Sequence, residues 1–203
     1  MKVIMDSISS SLKAPKTKHP ILPEIAARWS PRSFSERMIT LEELETMIEA
    51  ATWAPSSTND QPWRYVAAFR GSQLFQDYFD CLMPGNRFWA DKASVILVSL
   101  AVKDFAANGA FNRHAMYDVG AANTLLLVQG ASMGIYGHQM GGFDMAKSIQ
   151  QLGVPDNMEI ACFIALGFLD SPDKLEEPFR TRELTPRSRK PLDHILLDDL
   201  NGL

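Results

Sequence analysis

The chain has 203 residues, of which 46% are hydrophobic and 22% are charged, a balance typical of one globular domain with a sizeable core. Its 20 basic and 24 acidic residues give a net charge of −4, which argues against a surface built to bind nucleic acid or an anionic membrane. The two cysteines, Cys81 and Cys162, are too few for a disulfide framework or a zinc cluster, so we expect a reducing, cytoplasmic setting.

The start of the chain contains an acidic residue and two serine stretches, and no run of eighteen apolar residues occurs in the sequence. Such a start does not resemble a secretory signal, and a membrane span is not predicted. We therefore expect residues 1–20 to form a loosely ordered arm and residues 21–203 to form a single domain.

Two helices are predicted before residue 60. Residues 20–28 suit a short helix, and a second helix begins at Thr40. The Thr40 side chain can cap this helix while Glu43 reaches back to the cap residue, the arrangement of a capping box. Pro55 ends the helix, because proline disfavours helical geometry in the residue before it.

The rest of the chain mixes strands and helices. Apolar runs predict three strands, at residues 63–69, 93–102 and 159–167, and further helices are predicted at residues 72–82, 117–133 and 144–152. The helix at 117–133 is apolar nearly all round, so we expect it to lie in the core. Because the connections are irregular and lack a βαβ repeat, the pattern predicts an α+β sandwich of about five helices around a small sheet.

The first segment that could carry chemistry is residues 28–32, in which Arg28 and Arg32 flank Ser30. Guanidinium groups and a hydroxyl are suitable ligands for a phosphate. The competing interpretation is a solvated helix end, where arginine complements the helix dipole.

The second is a polar loop at residues 55–61, between Pro55 and Pro62. Ser56, Ser57 and Asn59 would supply neutral, directional donors and acceptors that suit the edge of a heteroaromatic ring. The alternative is a structural turn, since serine, asparagine and proline are ordinary turn formers.

The third is a basic segment at residues 180–190, which holds five basic groups and one acid, a local charge of +4. The rest of the chain then carries −8. A charge run is usually a solvated face, but against an acidic remainder this one is also a candidate anion site.

Together the three segments resemble the nitroreductase-like family of FMN-dependent oxidoreductases. The resemblance rests on R-x-S-x-R from Arg28, A-P-S-S-x-N-x-Q-P-W from Ala54 and R-S-R-x-P from Arg187. Asn86 before the first fully buried strand, the long central helix, and Gly-Gly-Phe-Asp from Gly141 fit the same pattern. The resemblance covers residues 21 to 200.

This resemblance implies an α+β, nitroreductase-like sandwich of helices around a small, mostly antiparallel sheet. It implies a homodimer with FMN at the interface and a C-terminal extension that packs on the partner subunit. In such an enzyme NAD(P)H would reduce the flavin, which would pass hydride from N5 to nitroaromatics or quinones in ping-pong fashion. We expect the protein to bind no nucleic acid, no membrane and no metal ion.

The resemblance also implies which residues would bind FMN. The phosphate and ribityl chain would be held by Arg28, Trp29 (through its main chain), Ser30, Arg32, Arg187 and Arg189. The polar loop would reach the flavin partly from the partner chain, through Pro55, Ser56, Ser57 and Asn59. Asn86 would touch the pyrimidine edge, and the main-chain amides near Gly141 and Gly142 would face N5. No catalytic side chain is required.

Two positions depart from the family pattern. Several members carry a carboxylate where this chain has Gly141, and a lysine often aligns with Trp89. These departures leave open a flavin-binding or flavin-consuming member without general nitroreductase turnover. Residues 104–117, with Phe105, Phe111 and Tyr117, fit either a mobile apolar lid or dimer packing.

Overall fold

The computed structural model describes residues 8–197 and residue 199. Its longer elements follow in chain order. They are α1 (Ile8–Lys13), α2 (Pro23–Ala27), α3 (Leu41–Thr52), β1 (Trp63–Phe69), α4 (Gln73–Cys81), α5 (Pro84–Ala90), β2 (Val95–Val102), α6 (Ala115–Ser132), β3 (Ile135–Met140), α7 (Met145–Leu152), β4 (Met158–Phe168) and α8 (Phe179–Leu184).

The four strands form one antiparallel sheet in the order β1-β2-β4-β3. The two central strands, β2 and β4, are apolar and almost wholly buried, as expected of strands covered on both faces. β1 and β3 are therefore the edges of the sheet, with two strands between them.

Helices cover both faces of this sheet. Alternate residues of β2 point to opposite sides: Val95 and Leu97 join one core cluster, while Ile96 and Val98 join another. The first cluster lies against α3 and α6, and the second lies against α4, α5 and the start of α8. This arrangement confirms the predicted α+β sandwich.

Several local predictions are confirmed. Thr40 Oγ1 accepts the Glu43 main-chain N–H at 3.1 Å, and Glu43 Oε2 accepts the Thr40 N–H at 2.9 Å, which is the reciprocal pair of a capping box. β1 spans residues 63–69 as predicted. Asp144 caps α7, which ends at Gly153 in a left-handed conformation.

The sequence prediction missed β3 and α5. β3 contains Gly137 and His138 and lacks a long apolar run, so its sequence does not read as a strand. It pairs with β4 on one side only, and residues 28–32 cover its other side through contacts of Trp29 and Pro31. α5 starts with Pro84 and Gly85, which read as a turn although proline is well suited to a first helical turn.

Residues 8–13, which belong to the expected loosely ordered arm, form α1. Ser9 and Ser10 are buried, and Lys13 Nζ donates to the carbonyls of Arg182 at 2.9 Å and Thr185 at 2.6 Å. These carbonyls lie at the end of α8, where a cation is favourable. The segment is ordered by a partner far along the chain, which a local sequence pattern does not reveal. Residues 1–7 of the predicted arm lie outside the described residues.

The long helix α6 is not buried all round, as its composition had suggested. One face packs on the sheet, whereas Tyr117 is 80% exposed and Met116, Gly120 and Thr124 are also exposed. Although α6 is apolar on nearly all sides, only one of its faces is covered within this chain. No helix in the described part of the chain is long and apolar enough to cross a bilayer.

A buried polar network fixes α6 on the sheet. Asn123 Oδ1 accepts hydrogen bonds from the Tyr65 hydroxyl at 2.9 Å and the Ser99 hydroxyl at 3.0 Å, and its Nδ2 lies 3.6 Å from Cys162 Sγ. Burial raises the pKa of Cys162 to about 12, so this thiol stays protonated at neutral pH. The network ties the middle of α6 to β1, β2 and β4.

Candidate functional site

Segment 28–32 runs beside the edge strand β3. The Trp29 ring lies 4.6 Å from the Tyr136 ring between centroids, and His138 Nδ1–H donates to the Pro31 carbonyl at 3.0 Å. Both partners belong to β3. The segment therefore covers one edge of the sheet, and its place is set by a strand that the sequence did not predict.

The carboxylate of Glu183, in α8, bridges the same segment. Its Oε1 accepts the Trp29 indole N–H at 3.1 Å, and its Oε2 accepts the Arg32 main-chain N–H at 3.0 Å. Glu183 is 1% exposed. The sequence prediction counted this residue merely as the one acid of the basic segment, because its partners lie more than 150 positions away.

Arg187 holds the segment from the other side. Its Nε donates to the Lys13 carbonyl, its Nη1 to the Arg28 carbonyl and its Nη2 to the Ala26 carbonyl, each at 2.5 Å. Three of the five N–H donors of this guanidinium are thus committed to the main chain. Its positive charge nevertheless stays beside segment 28–32.

A cavity of about 830 Å³ lies between this segment, residues 15–21 and the end of the basic segment. We name it the basic cavity; its charged lining residues are Lys16, Lys18, Arg28, Arg187, Arg189, Lys190 and Asp193. Among the described residues, no carboxylate pairs with the guanidinium of Arg28, Arg187 or Arg189. Burial and the charge of Arg189 lower the pKa of Arg28, and burial and its two arginine neighbours lower that of Arg187. An anion placed here would relieve this repulsion.

Arg32, the last residue of segment 28–32, stacks on Trp89, which in turn stacks on His138. The Arg32 guanidinium lies 5.9 Å from the Trp89 ring centroid, and the Trp89 and His138 centroids are 4.6 Å apart. Burial, with a smaller effect of Arg32, lowers the pKa of His138 to about 4. Trp89, the position where the family resemblance led us to expect a lysine, is fully buried and belongs to the protein interior.

The polar loop at residues 55–61 has a demanding backbone. Thr58, Asn59 and Gln61 all have φ between 52° and 57°, a left-handed region that costs energy for residues other than glycine. The loop is held by Asp118, a buried acid in the first turn of α6, whose Oδ2 accepts the Ser57 main-chain N–H at 3.0 Å. Ser56 Oγ also accepts the Gln61 N–H at 3.0 Å.

The same loop is tied to the segment that was predicted as a lid or a packing surface. Asp60 Oδ1 accepts the Ala106 main-chain N–H at 2.9 Å. A short antiparallel bridge then joins Asp104 and Phe111, whose ring is 70% exposed. The polar loop and the exposed Phe111 thus form one surface with the start of α6.

Asn86 and Gly142, which come from distant parts of the sequence, meet beyond the end of β3. Asn86 Nδ2 donates to the Gly142 carbonyl at 2.9 Å. A Cβ at position 142 would lie 3.0 Å from that nitrogen, so the contact favours glycine. A Cβ at Gly141 would meet nothing within 4 Å, so the absence of a carboxylate there is not imposed by packing.

The predicted site residues therefore form two groups. Segment 28–32, the basic cavity and the Asn86–Gly142 pair lie on the β3 side, linked through Trp89 of α5. The polar loop precedes β1 and lies at the other edge of the sheet. Three strand spacings separate the edges, a distance of about 14 Å. One chain does not bring the two groups together at one edge.

Comparison with known proteins bears on this arrangement. A model of the nitroreductase family matches residues 25–86 and 72–168 of the chain. A solved oxidoreductase containing FMN is 31% identical, with a TM-score of 0.88 over 94% of this chain and 98% of that one. A nitroreductase family protein from Streptococcus pneumoniae TIGR4 is 21% identical, with a TM-score of 0.68 over 85% of this chain and 96% of its own. An oxygen-insensitive NADPH nitroreductase of Helicobacter acinonychis is 26% identical, covering 76% of this chain and 84% of its own.

Proposed function

Because the chain belongs to the nitroreductase family, we propose that it is an FMN-dependent oxidoreductase that uses NAD(P)H to reduce electron-poor substrates such as nitroaromatics or quinones. The observation that carries this proposal is the basic cavity, which Arg28, Arg187 and Arg189 line without an ion-pair partner among the described carboxylates. Bound FMN would supply the hydride chemistry, and the protein would supply binding, orientation and electrostatics.

The residues at the phosphate end fit this cofactor. Arg28 and Arg189 would hold the phosphate, and Arg187 would add charge while it fixes the main chain. Ser30 is exposed in the middle of segment 28–32, where its hydroxyl is free to turn toward a ligand. Arg32 and the main chain of Trp29 complete the set proposed for the phosphate and ribityl chain.

At the ring end, Asn86 would orient the pyrimidine edge of the flavin. Its amide is fixed by Gly142, and the neighbouring Gly141 is exposed and leaves its main chain accessible. Main-chain dipoles held in this way stabilise developing negative charge without reorganisation. Pro55, Ser56, Ser57 and Asn59 would reach the ring from the polar loop of a second subunit.

We propose a homodimer with FMN at the interface. The separation of the polar loop from the Asn86–Gly142 pair supports this, since two copies can supply to one flavin what one chain holds at opposite edges. The exposed face of α6 supports it too, because Met116 and Tyr117 are not covered within this chain. Sedimentation of the purified protein tests the proposal; a monomer that binds FMN at full strength would contradict it.

The end of the chain is proposed to pack on the partner subunit. Leu192, Ile195 and Leu196 are exposed, the last by 82%, so the described part of this tail leaves an apolar surface uncovered. Residues 198 and 200–203 lie outside the described residues. A cytoplasmic location is proposed as well, on the support of two free, buried cysteines.

A visible spectrum followed by anaerobic titration tests the function. The purified protein should absorb near about 450 nm, a property of the bound cofactor. NADH or NADPH should bleach this band, and a quinone or nitroaromatic should restore it over many cycles. Protein that stays colourless after reconstitution with FMN would refute the proposal. Bound flavin without sustained turnover would instead favour a flavin-binding or flavin-consuming member.

A further inference from the structure

We propose that Glu183 is a positioning residue for the cofactor phosphate: its buried carboxylate sets the shape of segment 28–32, although it does not touch the ligand itself. This inference rests on the proposed function. It differs from the expectation based on the basic segment, in which the cations alone were singled out.

The geometry of the bridge is the first argument. The two groups bound by Glu183, the Trp29 indole N–H and the Arg32 main-chain N–H, lie on either side of Ser30. One carboxylate therefore fixes the distance between Trp29 and Arg32, and with it the conformation of the exposed Ser30 between them. Because Glu183 itself is almost wholly buried, water does not easily take the place of its carboxylate in these bonds.

The second argument is how completely the segment is held from outside. Glu183 binds its N–H groups, Arg187 binds the Arg28 carbonyl, and His138 binds the Pro31 carbonyl. Within segment 28–32, Ser30 is the exposed residue left between these ties. Such an arrangement is typical of a loop kept ready for a ligand, because the cost of ordering it is met on folding.

The third argument is electrostatic. A buried carboxylate is costly unless its charge and lone pairs are satisfied. Glu183 lies close enough to Arg32 and Lys13 for its charge to raise the pKa of both, against the effect of their burial. It thus offsets positive charge behind segment 28–32, while Arg28, Arg187 and Arg189 in the basic cavity form no ion pair with a described carboxylate.

The substitution Glu183→Gln separates this role from simple stability. Glutamine keeps the size but offers one acceptor oxygen, so its amide N–H groups face either the Trp29 or the Arg32 donor. Riboflavin lacks the phosphate, and FMN carries it. Apo-protein of the full chain is titrated with each, following flavin fluorescence. We expect E183Q to weaken FMN binding by about tenfold or more and riboflavin binding by less than about twofold.

Glu43→Gln is the matched control, because Glu43 also binds a main-chain N–H through its carboxylate but caps α3. Its preference for FMN over riboflavin should equal that of the wild type. A second variant, Trp29→Phe, keeps a ring against Tyr136 and removes the indole donor. It should reduce the FMN preference by about threefold, and it decides the matter if E183Q does not fold.

Equal weakening of FMN and riboflavin by E183Q would overturn the positioning role and leave the proposed function standing. The same conclusion follows if E43Q loses as much of its preference for FMN over riboflavin as E183Q does. If E183Q does not fold, it follows from a W29F variant that keeps the wild-type preference. A wild type that binds neither flavin would overturn the proposed function together with this inference.

Discussion

The two ends of the proposed cofactor site are built differently. The phosphate end is held by buried charged and aromatic groups from α1, β3, α5 and α8, all within one chain. The ring end is divided between the Asn86–Gly142 pair and a polar loop at the opposite edge of the sheet, and much of it is exposed. In the proposed site, one chain therefore preorganises the residues at the phosphate end, while the ring end would need a second chain to be complete.

The largest expected effect concerns His138, at the phosphate end. Its pKa is about 4 in the folded protein and 6.5 in the unfolded chain. Between these values the unfolded chain binds more protons, so stability is full above pH 6.5 and falls as the pH drops toward 4. The loss should be on the order of 3 kcal/mol. Urea unfolding at pH 7 and pH 4 measures it.

The variant His138→Gln can still donate to Pro31 but does not titrate, so it should lose less stability over this pH range than the wild type. His194→Gln, at an exposed position, serves as the control and should keep the wild-type pH dependence. Identical pH dependence in H138Q and wild type would show that the phosphate end is not held by a neutral imidazole.

The next effect concerns Arg189, whose guanidinium bonds only to the neighbouring Ser188 carbonyl among the described contacts. Arg189→Ala should therefore weaken FMN binding while folding is almost unchanged. A charge-assisted contact to phosphate contributes about 1.5–3 kcal/mol, which is roughly a 10- to 150-fold change in affinity. Riboflavin binding should stay the same, because the loss is confined to the phosphate end.

Arg180→Ala removes a positive charge from the same basic segment and is the control. Arg180 pairs with Asp173 at the surface, away from the basic cavity. If R189A and R180A reduce FMN affinity equally, the effect belongs to the overall charge of the segment and Arg189 leaves the site.

The smallest effect lies at the ring end. Gly142→Ala brings a Cβ to 3.0 Å from Asn86 Nδ2, so the Asn86 side chain must shift. We expect FMN and riboflavin affinities to fall together, by about fivefold, which corresponds to about 1 kcal/mol of overpacking. Gly85→Ala, next to Asn86 in α5 and with nothing within 4 Å of its Cβ, is the control and should change neither affinity. A selective loss of FMN binding in G142A would contradict the division of the site into two ends.

Prediction from sequence succeeded where the cause is local. The capping box at Thr40 and the bounds of β1 follow from neighbouring residues alone, and the motif resemblance identified the family. It failed where the cause is distant. β3 forms by pairing with β4, and Glu183 meets Trp29 across 154 positions of sequence.

The site showed the same limit. The sequence predicted Arg28 and Arg187 as neighbours of one anion, and both line the basic cavity. It did not predict that Arg187 would donate to three main-chain carbonyls, because a sequence pattern does not show which carbonyls the fold leaves without another hydrogen-bond partner. Asp118 was discoverable, since a lone acid on the buried side of an apolar helix has to find a partner.

The hydrogen bond between Trp29 and Glu183 also determines how late in synthesis segment 28–32 can reach its final conformation. At about 5–20 residues per second, the 154 residues between them take roughly 8–30 s to synthesise. During that interval segment 28–32 has left the ribosome without the carboxylate, the guanidinium of Arg187 or the end of α8 that hold it. A nascent or prematurely ended chain would therefore contain every arginine of the first motif and still lack the contacts that hold segment 28–32, so in the proposed site the cofactor phosphate would bind only after the end of the chain has been made.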